Sequence, residues 1–173
     1  MIRKAKNNDI EIISKIYIDS RRRTYKNILP DDYLNSLTYS QAEKKWEEYL
    51  KNDNNVIFVH LDDAGAITSL AASKPYRHLK NCLYLDSLHV SPEFQSKGVG
   101  KSLILKTAAF ALENNYDSMT ISILRGNNRA EKIYQYLGAV YLNDFINYFD
   151  NTSAMSTIFI WKDLQKLISK HSK

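Results

Sequence analysis

Two stretches of the chain combine residue types at spacings that can do chemistry. The first is Gln95-Ser-Lys-Gly98-Val-Gly100-Lys101-Ser102, where two glycines open a helical pattern just after a strand that Pro92 ends. A helix N-terminus presents unpaired N–H groups and partial positive charge, which suits a phosphate. Glycine at 98 and 100 removes side chains that would hold a phosphate off the backbone, and Lys97 and Lys101 add formal charge beside it. The second stretch is Asn127-Asn-Arg-Ala130-Glu-Lys-Ile-Tyr134-Gln-Tyr-Leu-Gly138. On a helix over 127–137, Asn127, Ala130 and Tyr134 fall at i, i+3 and i+7 and share one face. An amide, a small residue and a phenol on one face suit a slender polar chain lying against it. With a reference pKa of about 10, the phenol holds its proton at neutral pH.

Three phosphate-loop patterns compete for the first stretch. A P-loop requires G-x-x-x-x-G-K-[ST]; Gly100-Lys101-Ser102 fits its end, but Gln95 stands where the first glycine belongs. A dinucleotide fingerprint G-x-G-x-x-G fits Gly98 and Gly100, but Leu103 fills the third site. The pattern that fits throughout is Q-x-x-G-x-G. Here the sequence resembles the GNAT superfamily of N-acetyltransferases, whose pyrophosphate loop has this spacing, and N-x-x-A-x-x-x-Y-x-x-x-G after one intervening strand resembles the second half of that family's motif. The resemblance extends upstream to Tyr25-Lys-Asn-Ile-Leu-Pro30 with Tyr33-Leu34, and downstream to Trp161-Lys-Asp-Leu164.

The resemblance implies acetyl-CoA as cofactor and no metal. It implies contacts to coenzyme A from the strand end Leu88, His89 and Val90, and from the loop Gln95, Ser96, Lys97, Gly98, Val99, Gly100, Lys101 and Ser102. Asn127, Ala130 and Tyr134 complete that set. It further implies direct transfer to an amine in a ternary complex, with a backbone N–H near Leu88 to Val90 stabilising the oxyanion and Tyr134 serving the departing thiolate. One position departs from the pattern: many relatives carry glutamate where Tyr84 stands, so a general base cannot be carried over from there.

The group that takes the amine proton stays open. Asp86 is one candidate, since strand periodicity places it on the face of Tyr84 and Leu88, and a structural or substrate-orienting carboxylate is the equal alternative. His89 has a suitable reference pKa but faces the other way unless a bulge intervenes; water is a third relay. On the acceptor side, Tyr25, Tyr33 and Asp86 are the expected contacts, and Tyr141, Phe145 and Tyr148 could extend an aromatic wall or simply pack the core. The acceptor expected is a small-molecule amine. A protein N-terminus or lysine, and a module that binds acyl-CoA without catalysis, are the competing readings.

The elements that must hold these residues follow from periodicity. Residues 2–5 read as a strand, and from Asn8 the apolar positions Ile10, Ile13, Ile16 and Tyr17 recur at helical spacing, with Asp9 as N-cap. Arg21-Arg22-Arg23 reads as a solvated helix end that complements the macrodipole. Asp31-Asp32 and then Ser40 are expected to cap two further helices. Strands follow at 56–61, 66–73 and 83–90 as an antiparallel meander, then a helix over 98–113, a strand at 119–124, the 127–137 helix, strands at 139–148 and 156–161, and a short basic tail helix. This order predicts an α/β (α+β) fold, a central mixed, mostly antiparallel sheet of about seven strands flanked by helices, in one domain over 1–173.

Composition sets the bounds. At 173 residues, 44% hydrophobic and 25% charged, the chain is that of an ordinary folded domain. Its single cysteine, Cys82 in an apolar run, excludes an intramolecular disulfide and a thiolate metal cluster. No apolar run approaches a membrane span and the first residues lack a signal core, so no membrane partner and a cytoplasmic location are expected. The net charge of +5 is modest and scattered; an anionic cofactor accounts for it, and no nucleic acid is expected. A monomer or homodimer is the expected state.

Overall fold

Residues 1–171 are described by the computed structural model. A short β1 (Ile2–Lys4) leads through a single 3-10 turn into α1 (Ile10–Thr24), then α2 (Asp31–Ser36) and α3 (Tyr39–Leu50). The meander β2 (Val56–Leu61), β3 (Ile67–Pro75) and β4 (Cys82–Val90) follows, then α4 (Val99–Glu113), β5 (Ser118–Leu124), α5 (Asn128–Tyr136), the hairpin β6 (Val140–Phe149) and β7 (Thr152–Trp161), and α6 (Leu164–His171). The seven strands form one sheet in the order β1-β2-β3-β4-β5-β7-β6. Every pairing is antiparallel except β4 with β5. This is the mixed, mostly antiparallel sheet that the sequence predicts.

Strand alternation sends successive side chains to opposite faces, and each face acquires its own core. Ile57, Val59, Leu70 and Ala72 pack beneath α1 and α3 with Ile13, Ile16 and Trp46. Val56, Phe58, Ala71, Leu83 and Leu85 pack beneath α4, α5 and α6 with Leu103, Ile104, Tyr134 and Leu164. Each such large apolar side chain taken from water contributes about 1.5–3 kcal/mol, so the sheet is clamped between two helical layers. Among the described residues no helix is long and apolar enough to cross a membrane.

Several helix starts differ from the sequence expectation. Asp9 makes no side-chain cap on α1. Its carboxylate is held by Arg3 at 2.6 and 2.9 Å, a charge-assisted pair stronger than a single cap. Thr38 caps α3 instead of Ser40, in a reciprocal box with Gln41; Thr-x-x-Gln satisfies two orphan donors where Ser40 would satisfy one. Pro30 is the N-cap of α2, with Asp31 and Asp32 in its first turn. Strand β7 starts four residues earlier than residue 156, because Thr152 to Met155 pair with β6 on a largely exposed hairpin that lacks an apolar signature.

Two irregularities in β4 create the site. Ala72 pairs with Ser87 but Ser73 with Leu85, so Asp86 is an extra residue on β4, a bulge. The parallel pairing with β5 covers Cys82 to Leu85 alone. Beyond it β5 keeps β7 alone, and β4 from Ser87 to Val90 keeps a ladder partner on the β3 side only. The sheet is therefore split at its centre, with backbone polar groups of β4 facing the gap.

Candidate active site

The turn after β4 is shaped for an anion. Ser96 and Gly98 adopt φ of 61° and 79°, and Gly98 is the N-cap of α4 with no side-chain cap. The first N–H groups of the helix are thus left for a ligand. A Cβ on Gly98 would meet no atom within 4 Å, while one on Gly100 would touch Val90 Cγ2 at 3.6 Å. The glycines are not needed for strand–helix packing; they keep the helix end open. Gln95 braces the loop by donating to the Val90 carbonyl at 3.1 Å.

Sequence reasoning missed Arg129, which ties this turn to α5. Its guanidinium donates to Gln95 Oε1 at 2.8 Å and to Ser96 Oγ at 3.1 Å. The N-N-R-A string contains it, but neither spacing nor periodicity assigns an exposed arginine a partner some 30 positions upstream. Asn127 is the N-cap of α5 rather than a residue within it, and its side chain accepts from the Ala130 N–H at 3.4 Å. Its amide NH2 remains directed by that cap and free of any hydrogen bond to the described residues.

Tyr134, in the last turn of α5, is buried with its ring edge-on to Trp161 at 5.8 Å. Its Oη makes no hydrogen bond to any described residue. Burial pushes its pKa above the ordinary value, with smaller contributions from Tyr25 and Tyr84. Tyr84 alternates with Leu83 and Leu85, so it points to the α1 side of β4, next to the gap between β4 and β5. Tyr84 donates to or accepts from Ser122 Oγ at 2.6 Å across the mouth of that gap, and burial raises it to about 12.

The bulge rearranges the base candidates. Asp86 lies with Tyr84 on the α1 side as expected, but Leu88 turns to the α4 side and packs with that core. His89 is turned to the α1 side in exchange, where Ser20 Oγ lies 2.9 Å from Nδ1 and Tyr17 meets the ring edge-on. Asp86 is paired with Lys74 at 2.8 Å and more loosely with Lys45 at 3.9 Å. Burial, with the Arg21 and Lys45 charges nearby, lowers the His89 pKa to about 3. A base that weak does not take a proton from an alkylammonium.

One consequence can be checked directly. His89 binds a proton in the unfolded chain below about pH 6.5 and in the folded one only near pH 3, so its burial costs stability as pH falls below 6.5. The expected NMR result is a His89 ring resonance unmoved from about pH 8 to about pH 5. A titration centred near the reference value would show that the ring is not sealed.

The α1 side of the sheet is aromatic, with only part of the set that the sequence suggested. Tyr25 and Tyr33 gather with Phe149 around Arg21, whereas Tyr141 and Tyr148 are exposed. The Arg21-Arg22-Arg23 triplet does not share one fate: Arg21 turns inward, Arg22 donates to the carbonyls of Leu34 and Leu37, and only Arg23 is exposed. Phe145 lines a groove of about 680 Å³ with Tyr76, Tyr84 and Ile158, between the β3–β4 turn and the β6–β7 hairpin. A second depression of about 500 Å³ between α1 and α3, with Glu11, Glu43 and Glu47, holds none of these groups. Cys82 is buried, and burial raises its thiol pKa, which makes it a poor nucleophile. Among the described residues no cluster of His, Cys, Asp and Glu could hold a metal.

Residues 20–139, which include the split in the sheet and the uncapped helix end beside it, match the family model of the acetyltransferase (GNAT) family. The chain belongs to the GNAT family. A GNAT relative, the uncharacterized N-acetyltransferase YuaI of Bacillus subtilis (strain 168), is 36% identical over 129 residues, covering 73% of this chain and 72% of its own. Among solved structures, the PaiA N-acetyltransferase of Thermoplasma acidophilum in complex with coenzyme A superposes with a TM-score of 0.72 at 18% identity, over 94% of this chain and 98% of the other. A chimera of the Vibrio cholerae spermidine N-acetyltransferase SpeG with hSSAT gives 0.73 at 13% identity, over 97% of each chain. These low-identity structures share the GNAT fold and say nothing of this chain's substrate.

Proposed function

We propose that the protein is an acetyl-CoA-dependent N-acetyltransferase that acetylates a primary amine of a small molecule by direct transfer in a ternary complex. The observation that supports this reading is a buried Tyr134 on α5, a helix that Arg129 ties to the turn left open by Gly98 and Gly100. The residues fit coenzyme A: the first N–H groups of α4, with Lys97, Lys101 and Arg129 at hand, would hold the diphosphate, and Asn127 and Ala130 would flank the pantetheine. Bound there, the cofactor supplies an activated acetyl group as a thioester.

The chain's own residues supply the rest. Backbone N–H groups of β4 beyond Leu85 that point away from β3 have no strand partner, so they would be free to bind a carbonyl oxygen. Tyr134 Oη holds a proton for the sulfur as the C–S bond breaks and the N–C bond forms. The amine must shed its proton, and with His89 neutral and weakly basic, Asp86 or water near it is the route left.

The test is thiol release from acetyl-CoA across a panel of small amines, run beside the melting temperature with and without coenzyme A. Release with at least one amine, and stabilisation by coenzyme A, are the expected results. Stabilisation with no release for any amine would mean a binding module without catalysis.

A further inference from the structure

Arg21 is an unusual group to find next to an amine site. Its guanidinium carbon lies 5.3 Å from the ring centre of Tyr17, 5.2 Å from that of Tyr25 and 5.8 Å from that of Phe149. One hydrogen bond, from Nη2 to Tyr33 Oη at 3.2 Å, is its only bond to a side chain among the described residues. Nε is buried without a partner, and no carboxylate among the described residues lies within ion-pair distance of it. A guanidinium withdrawn from water and given only aromatic faces and one phenol is short of an anion. Its planar fork matches a carboxylate in bidentate geometry.

The position says where that anion comes from. Tyr25, stacked on Arg21, packs with Leu124 at the end of β5. Tyr17 stands between Arg21 and His89, its ring centre 5.3 Å from the guanidinium and 5.1 Å from the His89 ring, and His89 is on the strand that borders the gap. Arg21 therefore stands one aromatic ring away from the reacting end of the site, on the α1 side. The diphosphate site at the start of α4 lies at the other end of the gap, and pantetheine between them is uncharged. An anion at Arg21 belongs to the acceptor. Arg21 is in the last turn of α1, where the negative end of the helix dipole suits a singly charged carboxylate better than a phosphate dianion.

The surrounding charge agrees. Arg21 and Lys45 both lie against the Tyr17 ring, and Lys45 and Lys74 flank a carboxylate, Asp86, which Lys74 already holds. A polycation would meet repulsion here. We infer that Arg21 binds a carboxylate carried by the acceptor, which makes the substrate class an amino carboxylate such as an amino acid, not a polyamine. This inference rests on the acetyltransferase reading.

The experiment pairs amino acids with their decarboxylated amines, lysine with cadaverine and ornithine with putrescine among them, and measures thiol release by the wild type, Arg21→Gln and Arg21→Lys. In the wild type, kcat/KM for the preferred amino acid should exceed that of its decarboxylated amine by about tenfold or more. Arg21→Gln should remove that preference through KM while its affinity for coenzyme A is unchanged, and Arg21→Lys should restore part of it. A wild type that uses the decarboxylated amine equally well, or an Arg21→Gln enzyme that loses both amines alike, overturns the proposal. If no amine releases thiol, the acetyltransferase reading fails by itself. Calorimetric titration of the same amino acids into the coenzyme A complex then still decides: binding lost in Arg21→Gln supports the carboxylate site, and binding absent from the wild type refutes it.

Discussion

Replacing Tyr134 by phenylalanine should lower kcat by about 10²- to 10⁴-fold, the range typical of removing a general acid, while leaving the melting temperature and coenzyme A affinity near the wild-type values. The structure separates these effects. The ring packs edge-on against Trp161 and is only 6% exposed, so the phenylalanine keeps the packing. The Oη has no protein partner to be orphaned by its removal, which is the usual source of a large stability loss. Burial keeps the phenol protonated well beyond its ordinary range, so the wild-type rate should show no basic limb from this group below about pH 10. Steady-state kinetics of the variant, with thermal melts as control, measure both. Unchanged turnover would remove Tyr134 from the chemistry and leave it a core residue.

The place of Tyr134 in the fold was legible in the sequence because its packing follows the helical period. Ala130 and Tyr134 lie on α5 one turn apart, with Asn127 as the cap that starts it. The strands were legible for the same reason: in β2, alternation of Phe58 with Ile57 and Val59 feeds two separate cores. The helix starts were less so. Ser40 and Thr38 are both good caps, and the choice of Thr38 depends on Gln41 standing three residues on, a reciprocal geometry that single-residue preference does not contain.

What the sequence hid is a matter of register and of long-range pairing. A bulge adds one residue to one strand, and no local pattern marks Asp86 as that residue. Yet the bulge decides that His89 and not Leu88 joins Tyr84 and Asp86 on the α1 face. Arg21 shows the same limit. In the sequence it is one of three consecutive cations at a helix end, and solvent is the economical reading for all three. Only packing shows that α1 aims the first at Tyr17, Tyr25 and Phe149, the second at the α2 carbonyls, and the third at water. Charges at helix ends differ by rotation of about 100° per residue, so neighbours in the chain can have unrelated roles.

The diphosphate end of the site makes the second large prediction. Gly100→Ala should weaken coenzyme A binding by about tenfold or more, equivalent to at least about 1.4 kcal/mol, without weakening the fold. Gly100 has no left-handed backbone requirement, and its added methyl would touch Val90 Cγ2 at an ordinary 3.6 Å. Alanine in place of glycine within a helix stabilises by roughly 0.5–1 kcal/mol, so the melting temperature of the unliganded protein should stay level or rise by about 2–4 °C. Gly98→Ala provides the contrast: a φ of 79° makes its cost mainly backbone strain, about 1–2 kcal/mol for a left-handed residue, and the unliganded melting temperature should fall. Affinity by calorimetry and stability by thermal melting thus move in opposite directions for Gly100→Ala and together for Gly98→Ala. If Gly100→Ala bound coenzyme A as tightly as the wild type, the methyl would lie clear of the ligand. The diphosphate would then have to be held by Arg129 and the lysines without the close approach to the α4 backbone that the open turn allows.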